Sequence, residues 1–269
     1  MTLRALVTAG ASGIGLEIAR AFHSSGARVF TCDIDAVALG KAAAAMPGLE
    51  TSVCDNGDRE AIVAMVGEAA ARLGGLDVLI NNAGIGGPTK PVHELDPEDW
   101  DAVLRVNLTG VFDVTRTAIP HLIRSGKGVI INMSSAAGRF GYPNRSPYAA
   151  SKWALIGFTK TLSMELGEHN VRVNAIAPGA VDGERVHRVF HGRAQATGKS
   201  VEEVIDIAMA NQSLKQLVEP KDVAALALFL ARTRPRRSRA KCCPSMATCN
   251  ATEGCPWLAG PSAGTRRCG

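Results

Sequence analysis

The chain has 269 residues, of which 46% are hydrophobic and 20% charged, enough for one α/β domain with a sizeable core. No apolar run is long enough to span a bilayer, and the amino terminus lies within two residues of the first strand, leaving no room for a secretory leader; a cytoplasmic protein is expected. The formal charge of +5 is uneven: residues 1–231 hold 22 basic against 24 acidic residues, or −2, and residues 232–269 hold 8 against 1, or +7.

In chain order, short β-like runs alternate with longer helical ones, the pattern of a doubly wound parallel sheet in three layers, α/β/α. The apolar run Arg4–Thr8 leads into Gly10, Gly13 and Gly15 and then an amphipathic helix. Glycines between a strand and a helix let the backbone turn tightly and approach a pyrophosphate, which the free N–H groups of the helix attract. A second strand, Arg28–Cys32, ends at Asp33, eighteen residues after Gly15. A carboxylate there accepts hydrogen bonds from the ribose hydroxyls of NAD and repels the 2′-phosphate of NADP, so NAD is the expected cofactor. The spacing then predicts a helix over 35–46, a strand over 49–53, a helix over 59–73 and a strand over 77–80. Asn81-Asn82-Ala83-Gly84 closes that strand at the carboxyl edge, where small residues let a ligand lie close to the backbone. A long helix is predicted over 97–119, with Asp96 as its N-cap and Pro97 at its first position.

The apolar run Gly128–Met133 predicts a central strand that delivers Ser134 and Ser135 to the same edge. Tyr148 and Lys152 follow, one helical turn apart on a helix predicted from Pro147 to Gly167. A cation held beside a phenol favours its ionised form, so this pair suits moving a proton on or off an alcohol or carbonyl oxygen. A sixth strand is predicted over 171–176, before Pro178-Gly179, and a final helix over 220–231.

These motifs resemble the short-chain dehydrogenase/reductase family in its single-domain form. The matches are T-A-G-A-S-G-I-G at Thr8–Gly15, N-N-A-G at Asn81–Gly84, Asn107 in R-V-N-L-T-G, the run S-S-A-A-G to Y-A-A-S-K, and N-A-I-A-P-G at Asn174–Gly179. They recur in family order over residues 3–231. The resemblance implies a seven-stranded Rossmann sheet, hydride transfer between NAD(P) and a secondary alcohol or ketone, and a homodimer or homotetramer paired through the Tyr148 helix. It also implies roles: Tyr148 as general acid/base, Lys152 to favour the phenolate and bind the nicotinamide ribose, Ser135 to orient the substrate oxygen, and Asn107 to hold a relay water. Gly10, Ser12, Gly13, Ile14, Gly15, Asp33, Asn82, Ala83, Gly84, Pro178 and Gly179 join Tyr148 and Lys152 as the cofactor set. Asp55 belongs to that set if it meets the adenine; as a helix N-cap it does not. Asn107 has a plainer role open to it, satisfying stray backbone groups, and Ser134 replaces Ser135 if the loop register slips.

Residues 180–200 depart from the family, with Asp182 and Gly183 where a cofactor-touching threonine is common. Glu184, Arg185, His187 and Arg188 suit an anionic or polyhydroxy substrate, or a solvated helical face. Their histidines lack metal spacing, so no metal is expected. The substrate expected is a small alcohol or carbonyl compound, with no nucleic acid and no membrane partner. An NADPH-dependent 3-oxoacyl-thioester reductase is the nearest alternative. A non-catalytic NAD-sensing or nucleic-acid-binding protein on the same fold is another, disfavoured by the intact Ser135, Tyr148 and Lys152.

After residue 231 the composition changes, with 5 of the 7 cysteines in a tail lacking C-x-x-C spacing. The codons open to Ser238–Asn250, read from their third bases, permit S-G-Q-M-L-P-I-D-G, which resembles the family's last strand. The tail is therefore expected to be a frameshifted terminus, disordered, with the seventh strand lost and the sheet edge bare.

Overall fold

The computed structural model describes residues 2–210 and 214–232, together with the backbone of a last strand at Cys242–Pro244. Among the described residues the strands are β1 (Arg4–Thr8), β2 (Arg28–Asp33), β3 (Glu50–Val53), β4 (Val78–Asn81), β5 (Val129–Met133), β6 (Arg172–Ala177) and β7 (Cys242–Pro244). They form one parallel sheet in the order β3-β2-β1-β4-β5-β6-β7. The helices are α1 (Gly13–Ser24), α2 (Ala36–Ala45), α3 (Arg59–Leu73), α4 (Pro97–Leu104), α5 (Gly110–Ser125), α6 (Ser146–Glu165), α7 (Glu184–Thr197), α8 (Val201–Ala210) and α9 (Pro220–Arg232).

The central strands are apolar on both faces because helices cover both. Along β1, Ala5 and Val7 enter a core with Ile18 and Phe22 of α1 and Ala227 of α9, whereas Leu6 enters a second core with Ile62 of α3 and Leu122 of α5. Period-two alternation therefore splits one short strand between two layers. Local signals fix where the helices start and stop. Asp58 caps α3 by accepting from Glu60 N at 2.9 Å and Ala61 N at 3.1 Å, and Gly74 ends it in the left-handed region at φ 73°.

Three expectations are corrected. The single helix over 97–119 is interrupted: α4 gives way to a π-helical turn at Arg105–Thr109, and α5 runs on to Ser125 despite Pro120. Asp96 sits at the N-cap of α4 but makes no capping bond; its carboxylate pairs with Lys90 at 3.0 Å instead. The edge beside β6 is not bare, because Cys242–Pro244 pair in parallel register with Ala175–Ala177. Strand pairing uses main-chain N–H and C=O groups, so an altered side-chain sequence does not forbid it. The disorder expected of the rest of the tail lies outside the described residues.

Strand order reverses between β1 and β4, so their carboxyl ends diverge and open a crevice, the place where open α/β sheets bind ligands.

Candidate active site

That crevice is a cleft of about 1380 Å³. The catalytic and cofactor residues singled out from the sequence line it except Gly10 and Asn107, which support it from behind; of the candidate substrate residues, Glu184, Arg185 and Arg188 line it and His187 does not. Gly10 lies against Thr31, where a β-carbon would overlap the threonine hydroxyl.

One end is built from backbone. Ser12 caps α1 without spending its hydroxyl on the helix, and no acid lies in the first turn, so the positive end of α1 is uncompensated. Gly13, at φ 51°, has open space where a side chain would stand, whereas a β-carbon on Gly15 would strike the carbonyl of Ala9. Asn82 holds this loop to β4: its Nδ2 donates to Thr8 O at 3.1 Å and Ala9 O at 2.9 Å, and Thr8 Oγ1 accepts from Asn82 N and Ala83 N, both at 3.0 Å. Asp33 is turned toward the loop, its Oδ2 accepting from Ala11 N at 3.1 Å. Asp55 lines the cleft and does not cap α3, a task that falls to Asp58; its Oδ1 accepts from Gly57 N at 2.7 Å. Beside it Asn56 is buried with Nδ2 unpartnered, leaving a donor for a ligand at this end.

The other end is built from side chains. Ser134 and Ser135 leave β5 together, but Ser134 Oγ donates to Lys152 O at 2.8 Å and so pins β5 to α6. Ser135 Oγ accepts only one weakly held bond, from Ala137 N at 3.2 Å, and keeps its proton and a lone pair for the cleft. Tyr148 and Lys152 project from the first two turns of α6, with Lys152 Nζ 5.7 Å from the centre of the Tyr148 ring. The Lys152 ammonium is buried and donates to Met133 O at 2.7 Å. Burial, assisted by the charge of Arg185, pulls its pKa down to about 7.

Asn107 occupies the middle of the π-helical turn, fully buried, and makes a reciprocal pair with Ile85: Ile85 N donates to its Oδ1 at 2.7 Å and its Nδ2 donates to Ile85 O at 2.9 Å. The same Nδ2 reaches Ser151 Oγ at 3.2 Å. Its amide thus fixes the loop after β4 against α6. The Ser151 link was not legible, since nothing in sequence says that α4 and α5 meet through a π turn that rotates Asn107 toward α6.

Sequence reading also passed over Arg145, Tyr142 and Arg193. Arg145 stands just before α6, buried at 4% exposure, with its guanidinium carbon 5.4 Å from the centre of the Tyr148 ring. Arg193 of α7 lies 4.3 Å from the centre of the Tyr142 ring, and the two tyrosine rings are 6.3 Å apart. The segment 180–200, left open between a substrate loop and a solvated face, is in fact α7 with the turn before it, and Arg185, Arg188 and Arg193 line the cleft.

A nucleotide fits this donor set: a helix terminus without a side-chain capping bond for phosphate, a carboxylate for ribose hydroxyls and an orphan amide donor beyond it. Next to it stand a phenol, a buried ammonium and a free serine hydroxyl, the groups needed to move a proton at a carbinol or carbonyl oxygen. Fold and site together define a nucleotide-dependent oxidoreductase. The sequence matches the short chain dehydrogenase family over residues 4–194, and the chain belongs to that family. It is 39% identical to a 3-oxoacyl-(acyl-carrier-protein) reductase of Thermotoga maritima, over 84% of this chain and 89% of that protein, and 35% identical to a D-beta-hydroxybutyrate dehydrogenase of Cupriavidus necator, over 87% and 93%. Among solved structures it resembles an actinorhodin polyketide ketoreductase variant with NADPH (TM-score 0.84, 33% identity, 90% of this chain and 95% of that one). It is equally similar in fold to an NAD+-bound xylitol dehydrogenase (TM-score 0.84, 28% identity, 90% and 96%). The chain is an oxidoreductase acting on CH–OH groups, on an NAD(P)-binding fold. No helix among the described residues is long and apolar enough to cross a membrane.

Proposed function

We propose that the chain is an NAD-dependent dehydrogenase of secondary alcohols, working in the cytoplasm and reversible as a ketone reductase, with Tyr148 as its general acid/base. The observation that carries this is the convergence of Tyr148, Lys152 and the uncommitted Ser135 hydroxyl at the cleft, beside the glycine loop. In the oxidative direction the Tyr148 oxygen takes the hydroxyl proton while Ser135 donates a hydrogen bond to the same substrate oxygen. Lys152 supplies a positive charge beside the phenol, and Asn107 keeps the Ile85 loop seated so that the cleft keeps its shape. NAD, when bound, supplies the acceptor for the hydride leaving the carbinol carbon. Ser12, Gly13, Ile14 and Gly15 would hold its pyrophosphate, Asp33 its adenosine ribose, Asp55 and Asn56 its adenine, and Asn82, Ala83, Gly84, Pro178 and Gly179 its nicotinamide half.

Asp33 is the reason to choose NAD: a carboxylate over the ribose accepts from its hydroxyls and repels a 2′-phosphate. The 3-oxoacyl-thioester reductase activity of a 39% identical relative supports the second reading, and Asp33 opposes the NADPH form of it. Trp153 and Met164 of α6 and Phe112 of α5 are exposed, which supports pairing of two copies through these helices.

Tyr148→Phe is the direct test. Turnover of a secondary alcohol with NAD+ falls by about 1000-fold, the scale of general acid/base catalysis, while the NADH dissociation constant stays within a factor of two or so. Undiminished turnover assigns the proton to another group. Sedimentation of the purified protein above monomer mass supports the pairing.

A further inference from the structure

Arg145 is held in a way that folding alone does not explain. Its side chain is almost wholly buried, yet Nε has no hydrogen-bond partner, and its polar contact within the protein is a long one, Nη1 to Thr89 Oγ1 at 3.3 Å. No carboxylate pairs with it among the described residues. Burial pushes its pKa down; Tyr142 and Tyr148 beside it oppose that shift without cancelling it, and Arg193 and Arg185 add to it. A buried cation without a counter-charge costs stability, and replacing it by an apolar side chain of similar size would relieve that cost. The guanidinium packs directly against the backbone of Gly86, where a β-carbon would lie 2.5 Å from Arg145 Nη2 and displace it.

Its surroundings repeat the same sign. Arg185 and Arg193, from α7, line this end of the cleft, as do Arg145 and Lys152. The acids nearby, Asp182 and Glu184, are exposed at the start of α7, and Asp182 is engaged with His187 at 3.2 Å. Arg193 is stacked on Tyr142, which orients it without neutralising it. The missing partner is therefore negative, and it sits within a few carbon atoms of the reacting oxygen, since the Arg145 guanidinium reaches the ring of Tyr148 itself.

We propose that Arg145 is the anchor for a carboxylate on the substrate, with Arg193 and Arg185 closing over it from α7, so that the enzyme interconverts a short hydroxy acid and the matching oxo acid. A guanidinium with unspent donors in one plane takes a carboxylate through two parallel hydrogen bonds, which a lysine or a neutral donor cannot imitate. The oxidation balances: the hydroxyl proton goes to Tyr148, the carbinol hydride to NAD+, and the carboxylate is unchanged. This rests on the dehydrogenase reading above and adds the class of substrate to it.

The test pairs turnover with binding. Short 2- and 3-hydroxy acids are assayed with NAD+ against their methyl esters and against 2-butanol, and acetate and malonate are titrated against the melting temperature without cofactor. The expected result is kcat/KM at least about 100-fold higher for an acid than for its ester, from two charge-assisted bonds. Arg145→Met abolishes that preference, chiefly through KM, and removes the carboxylate-induced rise in melting temperature, while melting at or above the wild-type temperature. Arg145→Lys restores part of the preference. Equal use of acids, esters and neutral alcohols overturns the proposal and leaves the dehydrogenase reading intact. Carboxylate-induced melting shifts that survive in Arg145→Met also overturn it. If no alcohol is turned over at all, the dehydrogenase reading fails, and the melting shifts alone decide whether Arg145 holds a carboxylate.

Discussion

The two ends of the cleft are built on opposite principles. At the glycine-loop end the residues that hold the framework are committed: Asn82 ties the loop to β4, Thr8 receives two backbone N–H groups, and Asp33 is held by Ala11. Shape there is set by backbone and by the absence of side chains. At the Tyr148 end the charges are left wanting, with no carboxylate paired to Arg145 among the described residues, its Nε without a hydrogen-bond partner, and Lys152 pulled down to about 7 by burial. The first end is preorganised to receive a ligand common to many enzymes; the second stores unfavourable charge that only its own substrate relieves. Changes at the first end should therefore damage cofactor binding and stability together, and changes at the second should damage function while sparing or raising stability.

The largest break on the cofactor side is expected from Gly15→Ala. The added methyl group meets the Ala9 carbonyl and, at 2.5 Å, the Asn82 amide, neither of which can yield without releasing the loop. Overpacking of this kind costs about 1–3 kcal/mol, so NADH affinity should fall by roughly 10- to 100-fold with a lower melting temperature. An unchanged NADH titration would show that the loop does not set the cofactor's position. Asp33→Ser is milder and more selective. It removes a charge-assisted acceptor, weakening NADH by roughly 10-fold, and removes the repulsion of a 2′-phosphate, so NADPH binds better. If the ratio of the two dissociation constants does not move, Asp33 is not the selector.

The difference between the ends also explains what could be seen in advance. Gly10, Gly13, Gly15 and Asp33 are legible because their meaning is local: a glycine pattern between a strand and a helix has few physical uses. Tyr148 and Lys152 are legible for the same reason, as an i, i+4 pair on one helix. Arg145 lies three residues before Tyr148 and was passed over, because its burial depends on Gly86 in a distant loop and on Thr89, and no periodicity encodes that. The π turn at Asn107 escaped because α- and π-helical turns draw on the same residues. Strand β7 was misjudged for a related reason: the tail's composition argued against it, but its pairing with β6 uses main-chain atoms alone.

The smallest effect distinguishes the two ends most sharply. Arg185 is exposed, so Arg185→Gln should leave the melting temperature nearly unchanged, yet its charge acts on buried Lys152. Lys152 is a base whose folded pKa lies below its unfolded one, near 10.4. Between those values the unfolded chain binds the extra proton, so this group penalises folding most below pH 7, and the penalty fades as pH rises through that window. Removing Arg185 relieves one of the two influences holding the pKa down, the lesser after burial, so the ammonium persists to higher pH. The limb of the kcat/KM profile that reports loss of the Lys152 charge should move to higher pH by a fraction of a unit, and raising the ionic strength should mimic part of that shift in the wild type by screening Arg185. A limb that stays in place, or moves to lower pH, would mean that Arg185 does not act on the buried ammonium and that burial alone sets the titration at this end of the cleft.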